Sequence, residues 1–139
     1  MALDLSNLKK TIEALERSLK IIHTGKNSLS EDLLEAIRAG VIQNFEVAYE
    51  QCWKFIQRWI RHNRSPEDAD HPRTRKEIFR MAARYGLISD PLPWFEYGDA
   101  RNLTSHTYDE RQATTVFKAA ERFAQDARNL LHSLEAKND

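Results

Sequence analysis

Apolar residues recur at steps of three and four along almost the whole of this chain, a spacing that places them on one face of an α-helix. The first segment shows the clearest periodicity, and from about Ser30 to His62 only Gly40 interrupts a helical composition. Four glycines and four prolines among 139 residues are fewer than the turns of a β-sandwich or barrel require. The sequence therefore predicts one all-α domain over residues 1–139.

Breaks in the apolar pattern divide the chain into about five helices. The first helix follows Asp4 as a cap and ends before Gly25. The second helix, which either Ser28 or Ser30 caps, runs to about His62, and its central glycine is the one point where it could bend. Its predicted apolar stripe consists of Leu33, Ile37, Val41, Phe45, Ala48, Cys52, Phe55 or Ile56, and Trp59.

The second half of the chain is predicted to contain three helices after a long connection. Asn63 to Pro72 is polar and lacks apolar periodicity, so we expect an exposed connection there. A short third helix follows Thr74 as a cap and stops at Gly86, where a left-handed residue is expected. A fourth helix runs from Asp90 to about Ser105, and the last begins after Asp109.

Cysteine usage and hydropathy indicate the compartment. The single cysteine, Cys52, cannot form an internal disulfide, and no basic segment followed by an apolar run opens the chain. Uninterrupted apolar runs are only a few residues long, against the ~20 residues that a membrane-spanning helix needs. We therefore expect a cytoplasmic protein without a membrane segment.

Charge is unevenly distributed, although the net charge is zero. Residues 54–84 carry nine basic and four acidic side chains, a net +5, between flanks of −2 and −3. This segment, with Trp53 and Trp59 interleaved, is a candidate for phosphate contact; the alternative is a solvated helix face with core tryptophans. The candidate RNA contacts are Arg58, Arg61, Arg75, Arg80 and Arg84, among neighbours that include Lys54, Arg64, Arg73 and Lys76.

Polar and ionisable residues are concentrated in residues 98–109, where the fourth helix is expected to end. Asn102 and His106 share a face if the helix continues, whereas unwinding of its last turn would bring Arg101 and His106 together. Histidine exchanges protons near neutral pH, and arginine stabilises the added negative charge of a phosphorane, so the pair suits RNA cleavage through the 2′-hydroxyl. The alternative places Arg101 in a surface ion pair, His106 at a helix terminus and Tyr108 in a hydrophobic contact.

Metal and cofactor chemistry has no recognisable motif in this sequence. Five histidines and one cysteine show no paired ligand spacing, and there is neither a phosphate-binding glycine loop nor a G-x-S-x-G elbow. We expect no metal and no cofactor. His23, His71 and His132 are expected at the surface or at helix ends.

Three motifs resemble HEPN domains of the nucleotidyltransferase substrate-binding type. They occur in the family's order, at compatible spacing, over about residues 36–112. The motif near the end of the fourth helix is similar to the family signature R-x4-H-x-Y. The residues that carry the resemblance are Arg101, His106 and Tyr108, then Gly40 to Glu46 with Tyr49, Glu50, Trp53 and Lys54, and Gly86 to Ile88 followed by Trp94.

The resemblance implies an up-and-down bundle that forms a homodimer and binds a small nucleotidyltransferase encoded beside it. Related members are toxins that cut RNA without metal in a cleft between two protomers, and in some the partner inactivates the toxin by adding AMP to the motif tyrosine. Carried over, Arg101 and His106 would be catalytic, Asn102 and Asp109 would support the site, and Tyr108 would accept AMP.

Two functions from different classes remain open. The first is a ribonuclease toxin controlled by a nucleotidyltransferase; the second is a non-catalytic subunit that presents a substrate or nucleotide to that partner. The intact arginine, histidine and tyrosine favour the toxin, whereas the net −3 of residues 85–139 weighs against RNA binding. An inert helical adaptor is a third possibility. Aromatic residues from Trp94 to Tyr97 that one small bundle leaves uncovered would favour the homodimer.

Overall fold

The computed structural model of the chain describes residues 2–70 and 74–138, so the candidate residues His71 and Arg73 and the predicted loop end at Pro72 lie outside the described residues. Those described form six α-helices and one 3-10 turn, and none of them lies in a strand, which confirms the all-α prediction. The helices are α1 (Ser6–Gly25), α2 (Glu31–Asn63), α3 (Pro66–Asp70), α4 (Arg75–Arg84), α5 (Leu92–Asn102) and α6 (Glu110–Ala136), and the 3-10 turn is Thr104–His106.

Contacts along α1 show that it lies antiparallel to α6. At one end, the Leu3 N–H donates to Oδ1 of Asn138 at 2.8 Å, and Nδ2 of Asn138 donates to the Leu3 carbonyl at 2.9 Å. Farther along, the Arg128 guanidinium donates to the Glu16 carboxylate from Nε at 3.0 Å. The first and last helices therefore pack side by side, and both contact α2.

Side-chain oxygens accept hydrogen bonds from the N–H groups at the start of most helices, at the residues the sequence predicts. Ser30 rather than Ser28 caps α2, which remains one unbroken helix of 33 residues. Gly86 follows α4 with a φ of +79°, the left-handed conformation expected of a glycine at that point. The other accepting residues are Asp4 before α1, Thr74 before α4, Asp90 before α5 and Asp109 before α6.

An aromatic cluster joins α5 to α2 and α6. Phe123 of α6 stands edge-on to Phe45, Trp94 and Tyr97, with ring centroids 5.1, 5.7 and 5.4 Å apart. Such pairs contribute about 0.5–1.5 kcal/mol each beyond the burial of area. Trp94 and Tyr97 are buried beside Phe123, so of the aromatic residues that we expected one small bundle to leave uncovered only Phe95 is partly exposed. The cluster fixes α5 and thereby the motif at its end.

Two local predictions about the apolar pattern were wrong. The expected connection contains α3, which Ser65 caps and which buries Ala69 completely, while Nε2 of Gln57 donates to the Ala69 carbonyl at 3.0 Å. Packing against α2 stabilises a helix too short for periodicity to reveal. Leu33, placed in the buried stripe, is 53% exposed, because it lies in the first turn of α2, before Ile37 packs against the core and Val41 begins the fully buried part.

The fourth predicted helix ends earlier than expected. Helix α5 stops at Asn102 instead of about Ser105, and the chain tightens into the 3-10 turn. Thr104 gives the physical reason: its hydroxyl lies 2.8 Å from the Arg101 carbonyl and 2.6 Å from Oε2 of Glu46 on α2. A threonine hydroxyl that bonds to the backbone and to another helix competes with α-helical continuation.

Candidate active site around Arg101

The arginine of the motif is held by residues of α2 and of the 3-10 turn. Nε of Arg101 donates to Oε1 of Glu50 at 3.2 Å, and Nη1 donates to the Thr104 hydroxyl at 3.2 Å. Oε2 of Glu46 lies 3.7 Å from Nη1. Nη2 has no partner among the described residues, and the side chain is 30% exposed. The guanidinium is therefore fixed on two of its nitrogens and open on the third.

Glu50 connects this arginine to the basic segment. Nη1 of Arg75 lies 3.2 Å from its Oε1, while its Oε2 accepts from Nη2 of Arg75 at 3.3 Å and from the Trp53 indole at 2.9 Å. The Arg75 guanidinium lies 5.0 Å from the Trp53 ring centroid and 5.6 Å from that of Tyr49. Arg75 and Arg101 thus share one carboxylate. We call Glu46, Glu50, Arg75, Arg101 and Thr104 the Arg101 cluster.

The two carboxylates were not assigned a role from the sequence. Glu46 and Glu50 are four residues apart, so they lie on the same face of α2, one turn from each other. That spacing alone also fits a solvated helix face, and the partner Arg101 is 51 residues away from Glu50. A signal was nevertheless present, because both residues occur in the second-helix motif.

The other two members of the motif occupy a different environment. The side chain of His106 is exposed at the end of the 3-10 turn. Its backbone N–H donates to the Leu103 carbonyl at 2.9 Å. Tyr108 is 89% exposed, and its ring centroid lies 6.5 Å from that of His106. Unwinding of the last turn of α5 does occur, but no hydrogen bond joins Arg101 and His106 among the residues described here. The structure therefore presents one fixed arginine and two exposed rings.

The two supporting candidates have separate positions. Asn102, the last residue of α5, is exposed, and it does not share a helical face with His106 because the helix ends there. Asp109 caps α6 by accepting from the Arg111 N–H at 2.9 Å. Asp109 therefore fixes the end of the segment that carries the two rings.

A cavity of about 300 Å³ lies beside the cluster, between α2, α4 and α5. Arg75 forms part of its wall, as do the buried ring of Tyr49 and, on the other side, Asn102. At Gly98 a Cβ would lie 2.9 Å from the Tyr49 hydroxyl, so glycine permits this close approach. Burial raises the pKa of Tyr49, although Arg75 nearby acts in the opposite direction, and the phenol stays protonated at neutral pH.

Three basic side chains of α4 lie over aromatic rings, and two of them, Arg75 and Lys76, line this cavity. Nζ of Lys76 is 5.5 Å from the Phe95 centroid, and the Arg80 guanidinium is 5.1 Å from it. Cations on a ring face remain available to a phosphate, because the ring does not neutralise their charge. Lys76 and Arg80 thus lie on the same helix as Arg75 of the Arg101 cluster and add two cations beside it.

The remaining basic candidates lie farther away. Arg58 and Arg61 follow Glu50 by ~12 and ~16 Å along the axis of α2, at 1.5 Å per residue. Arg61 is paired with Asp70 of α3, and Arg84 lies at the opposite end of α4 from Arg75. The basic segment is therefore divided into a part beside the motif and a part distant from it.

The family model described as nucleotidyltransferase substrate-binding protein-like matches residues 3–136. The chain belongs to this family. The resemblance that the three motifs indicated is thereby confirmed. The match runs through every helix from α1 to α6, so the nucleotidyltransferase substrate-binding family accounts for the whole bundle and not only for the motif.

Relatives of known sequence or structure agree with the family assignment. Over 104 residues the chain is 36% identical to the probable ribonuclease HepT of Haemophilus influenzae, an alignment covering 75% of this chain and 71% of that protein. A solved Haemophilus influenzae structure, described as the fold of a substrate-binding domain of a nucleotidyltransferase, has a TM-score of 0.87 at 31% identity over 95% of this chain and 99% of that one. A crystal structure from Thermus thermophilus has a TM-score of 0.71 at 25% identity over 91% and 98%.

Two properties of the described residues lie outside the motif. No three His, Cys, Asp or Glu side chains gather to form a metal site in residues 2–70 and 74–138. None of the helices in those ranges is long and apolar enough to cross a membrane.

Proposed function

We propose that this chain is a ribonuclease toxin that cleaves RNA without a metal ion and is controlled by a nucleotidyltransferase partner. The observation that carries the proposal is the held guanidinium of Arg101, with Nη2 open, on the helix that precedes exposed His106. The name of the Haemophilus influenzae relative, probable ribonuclease HepT, supports the same activity. In this proposal residues 1–139 form one HEPN-like domain of a cytoplasmic homodimer.

In the proposed reaction, the imidazole of His106 takes the proton from a ribose 2′-hydroxyl, and the 2′-oxygen attacks the adjacent phosphorus. The bond between phosphorus and the 5′-oxygen breaks, and the imidazole returns the proton to that oxygen. The products are a 2′,3′-cyclic phosphate and a 5′-hydroxyl. Nη2 of Arg101 donates to a non-bridging oxygen, where negative charge increases in the phosphorane. Glu46 and Glu50 orient the guanidinium for that contact.

Tyr108 is the proposed acceptor of AMP. Its ring is 89% exposed and lies close to His106, so a second protein can reach the hydroxyl. The phenolic oxygen attacks the α-phosphorus of ATP bound by the partner, pyrophosphate leaves, and the phenolic proton passes to solvent. The added phosphate pairs with Arg101 and occupies the space that RNA needs.

Cleavage of a structured RNA in the presence of EDTA tests the ribonuclease. We expect cleavage by the wild-type protein and none by the double variant R101A/H106A. Equal cleavage by both proteins, or none by the wild type, would refute the proposal. Light scattering at micromolar concentration tests the homodimer, which a mass near 16.2 kDa would contradict.

The second candidate function is a non-catalytic subunit that binds a substrate or nucleotide for the partner. One observation favours it: Arg101 lies next to two carboxylates, which offset its positive charge. The description of the Haemophilus influenzae structure as a substrate-binding domain supports the same function. Failure of the wild type to cleave RNA, together with nucleotide binding by the complex, would establish this function instead.

A further inference from the structure

We propose that the cavity beside the Arg101 cluster binds the guanine base of a nucleotide. The cavity, of about 300 Å³, is lined on one side by Arg75 and Lys76 and on the other by Asp99 and Asn102. The partly buried ring of Phe95 and the buried ring of Trp94 complete the lining. Aromatic surfaces suit the face of a base, and the polar walls face its edges.

The polar groups on the α5 side are available to a ligand. The Asp99 carboxylate and the Asn102 amide are exposed, and neither side chain has a hydrogen bond or ion pair with another described residue. Most other charged groups beside this cavity are engaged: Arg75 is paired with Glu50, and Lys76 lies over the Phe95 ring. A carboxylate without a partner among the described residues thus lies across the cavity from two cations.

That arrangement selects guanine over the other RNA bases. Guanine has two adjacent N–H donors, N1–H and the N2 amine, which one carboxylate accepts together. Beside them it has the acceptors O6 and N7, which match the ammonium of Lys76. Adenine, cytosine and uracil each place a ring nitrogen or carbonyl acceptor next to their donor, so a carboxylate at that position would repel them. Asp99 is therefore the specificity-determining residue of the cavity.

The site also connects base recognition to the motif. Arg75 belongs both to the cavity wall and, through Glu50, to the Arg101 cluster. A nucleotide whose base fills the cavity would therefore direct its phosphate toward Arg75 and Arg101. The ligand is a guanine nucleotide within RNA or a free one, and the RNA source rests on the proposed ribonuclease function.

Calorimetry with the H106A protein tests the cavity without cleavage. The probes are 5′-GMP, 5′-IMP, which lacks the N2 amine, 5′-AMP, and a short RNA with a single guanosine or inosine. We expect guanine to bind at least about 10-fold more tightly than hypoxanthine or adenine, since a bidentate pair discriminates on that scale. Asp99→Asn should remove the preference, and Asp32→Asn, at the exposed start of α2, should keep it.

The probes separate the possible outcomes. A preference with 5′-GMP assigns the cavity to a free nucleotide, and a preference only within the oligonucleotide assigns it to RNA; both support a guanine site. Absence of a preference in both, or a preference that Asp99→Asn leaves intact, overturns it. If the wild type does not cleave RNA but H106A still prefers guanine in an Asp99-dependent way, the ribonuclease proposal fails and the guanine site stands.

Discussion

The end of α5 and the turn that follows it carry different residues of one motif, and they differ in how firmly the side chains are fixed. Arg101 is fixed by bonds to Glu50 and Thr104, and the aromatic cluster fixes the helix that carries it. His106 and Tyr108 lie on a turn, exposed, with a ring contact to each other. The guanidinium of Arg101 is therefore held in place by protein contacts, and the imidazole that we propose as the proton carrier is not.

The proposed roles of these residues would account for this difference. A guanidinium that must contact a developing phosphorane contributes most when it does not have to reorient during the reaction. A histidine that exchanges a proton, and a tyrosine that a second enzyme modifies, both require access from solvent. Replacing Arg101 and replacing residues of the turn should therefore produce different defects.

The largest effect is expected from the two residues that we propose as catalytic. His106→Ala would remove the proposed proton carrier, and Arg101→Ala would remove the charge proposed to stabilise the phosphorane. Each variant should cleave RNA in EDTA about 10²- to 10⁴-fold more slowly than the wild type. For His106→Ala this is the usual contribution of general acid–base catalysis, and for Arg101→Ala the loss of a contact to the developing oxyanion has a comparable effect. Arg122→Ala, an exposed ion-pair partner of Glu96, is the matched control. A loss smaller than about 10-fold in either variant would remove that residue from the mechanism.

Glu50 tests whether fixing the arginine matters. Glu50→Gln keeps the shape of the side chain but removes the charge that Arg75 and Arg101 share. We expect kcat to fall about 10-fold because Arg101 loses its orientation, while KM for RNA stays constant or falls because less negative charge faces the phosphate.

The control for Glu50 is an ion pair of similar exposure elsewhere. Glu16→Gln removes the carboxylate that pairs with Arg128 between α1 and α6. It should leave both kinetic constants unchanged. If Glu50→Gln instead raises KM at constant kcat, Glu50 does not position the arginine for the reaction.

The basic segment gives a smaller, graded effect. Arg75→Ala and Arg80→Ala should each lower the slope of log K for RNA against log salt by about 0.7, the value for one phosphate contact on a single strand. Arg61→Ala should leave the slope unchanged, since Arg61 is paired with Asp70 away from the motif. Equal slopes for all three variants and the wild type would show that the basic segment is a solvated helix face that does not contact RNA.

Most of the fold was predictable because its determinants are local. Apolar spacing and caps such as Thr74 and Asp109 act within one or two turns, so they can be recognised without knowing what packs against them. The sequence pattern did not predict helix α3, because contacts with α2 stabilise this helix of five residues. One of them is the hydrogen bond from Gln57 to the carbonyl of Ala69.

The candidate site was predictable only in part, for the same reason. The family resemblance identified Arg101 and His106, but nothing in the sequence indicates that Glu46 on α2 bonds to Thr104, 58 residues later, or that α5 ends there. An acidic pair one turn apart is usually a solvated face. Only the packing of α5 against α2 brings this acidic pair next to Arg101, so that its carboxylates bind and orient the guanidinium.

Replacing Tyr108 should change RNA cleavage least. It should also distinguish most clearly between cleavage, proposed for Arg101 and His106, and modification, proposed for Tyr108. Tyr108→Phe keeps the ring beside His106 and removes only the hydroxyl, so cleavage should stay within about 2-fold of wild type, since no step of general acid–base transfer uses that group. After incubation with the nucleotidyltransferase partner and ATP, the wild type should gain the mass of one or more AMP units and lose activity, and Tyr108→Phe should do neither.

Tyr85→Phe changes a tyrosine that is packed against Trp59, and this variant is the control for Tyr108→Phe. It should be modified like the wild type. AMP mass on Tyr108→Phe would show that the acceptor is another residue, whereas a large loss of cleavage in that variant would place the phenol in the chemistry together with His106.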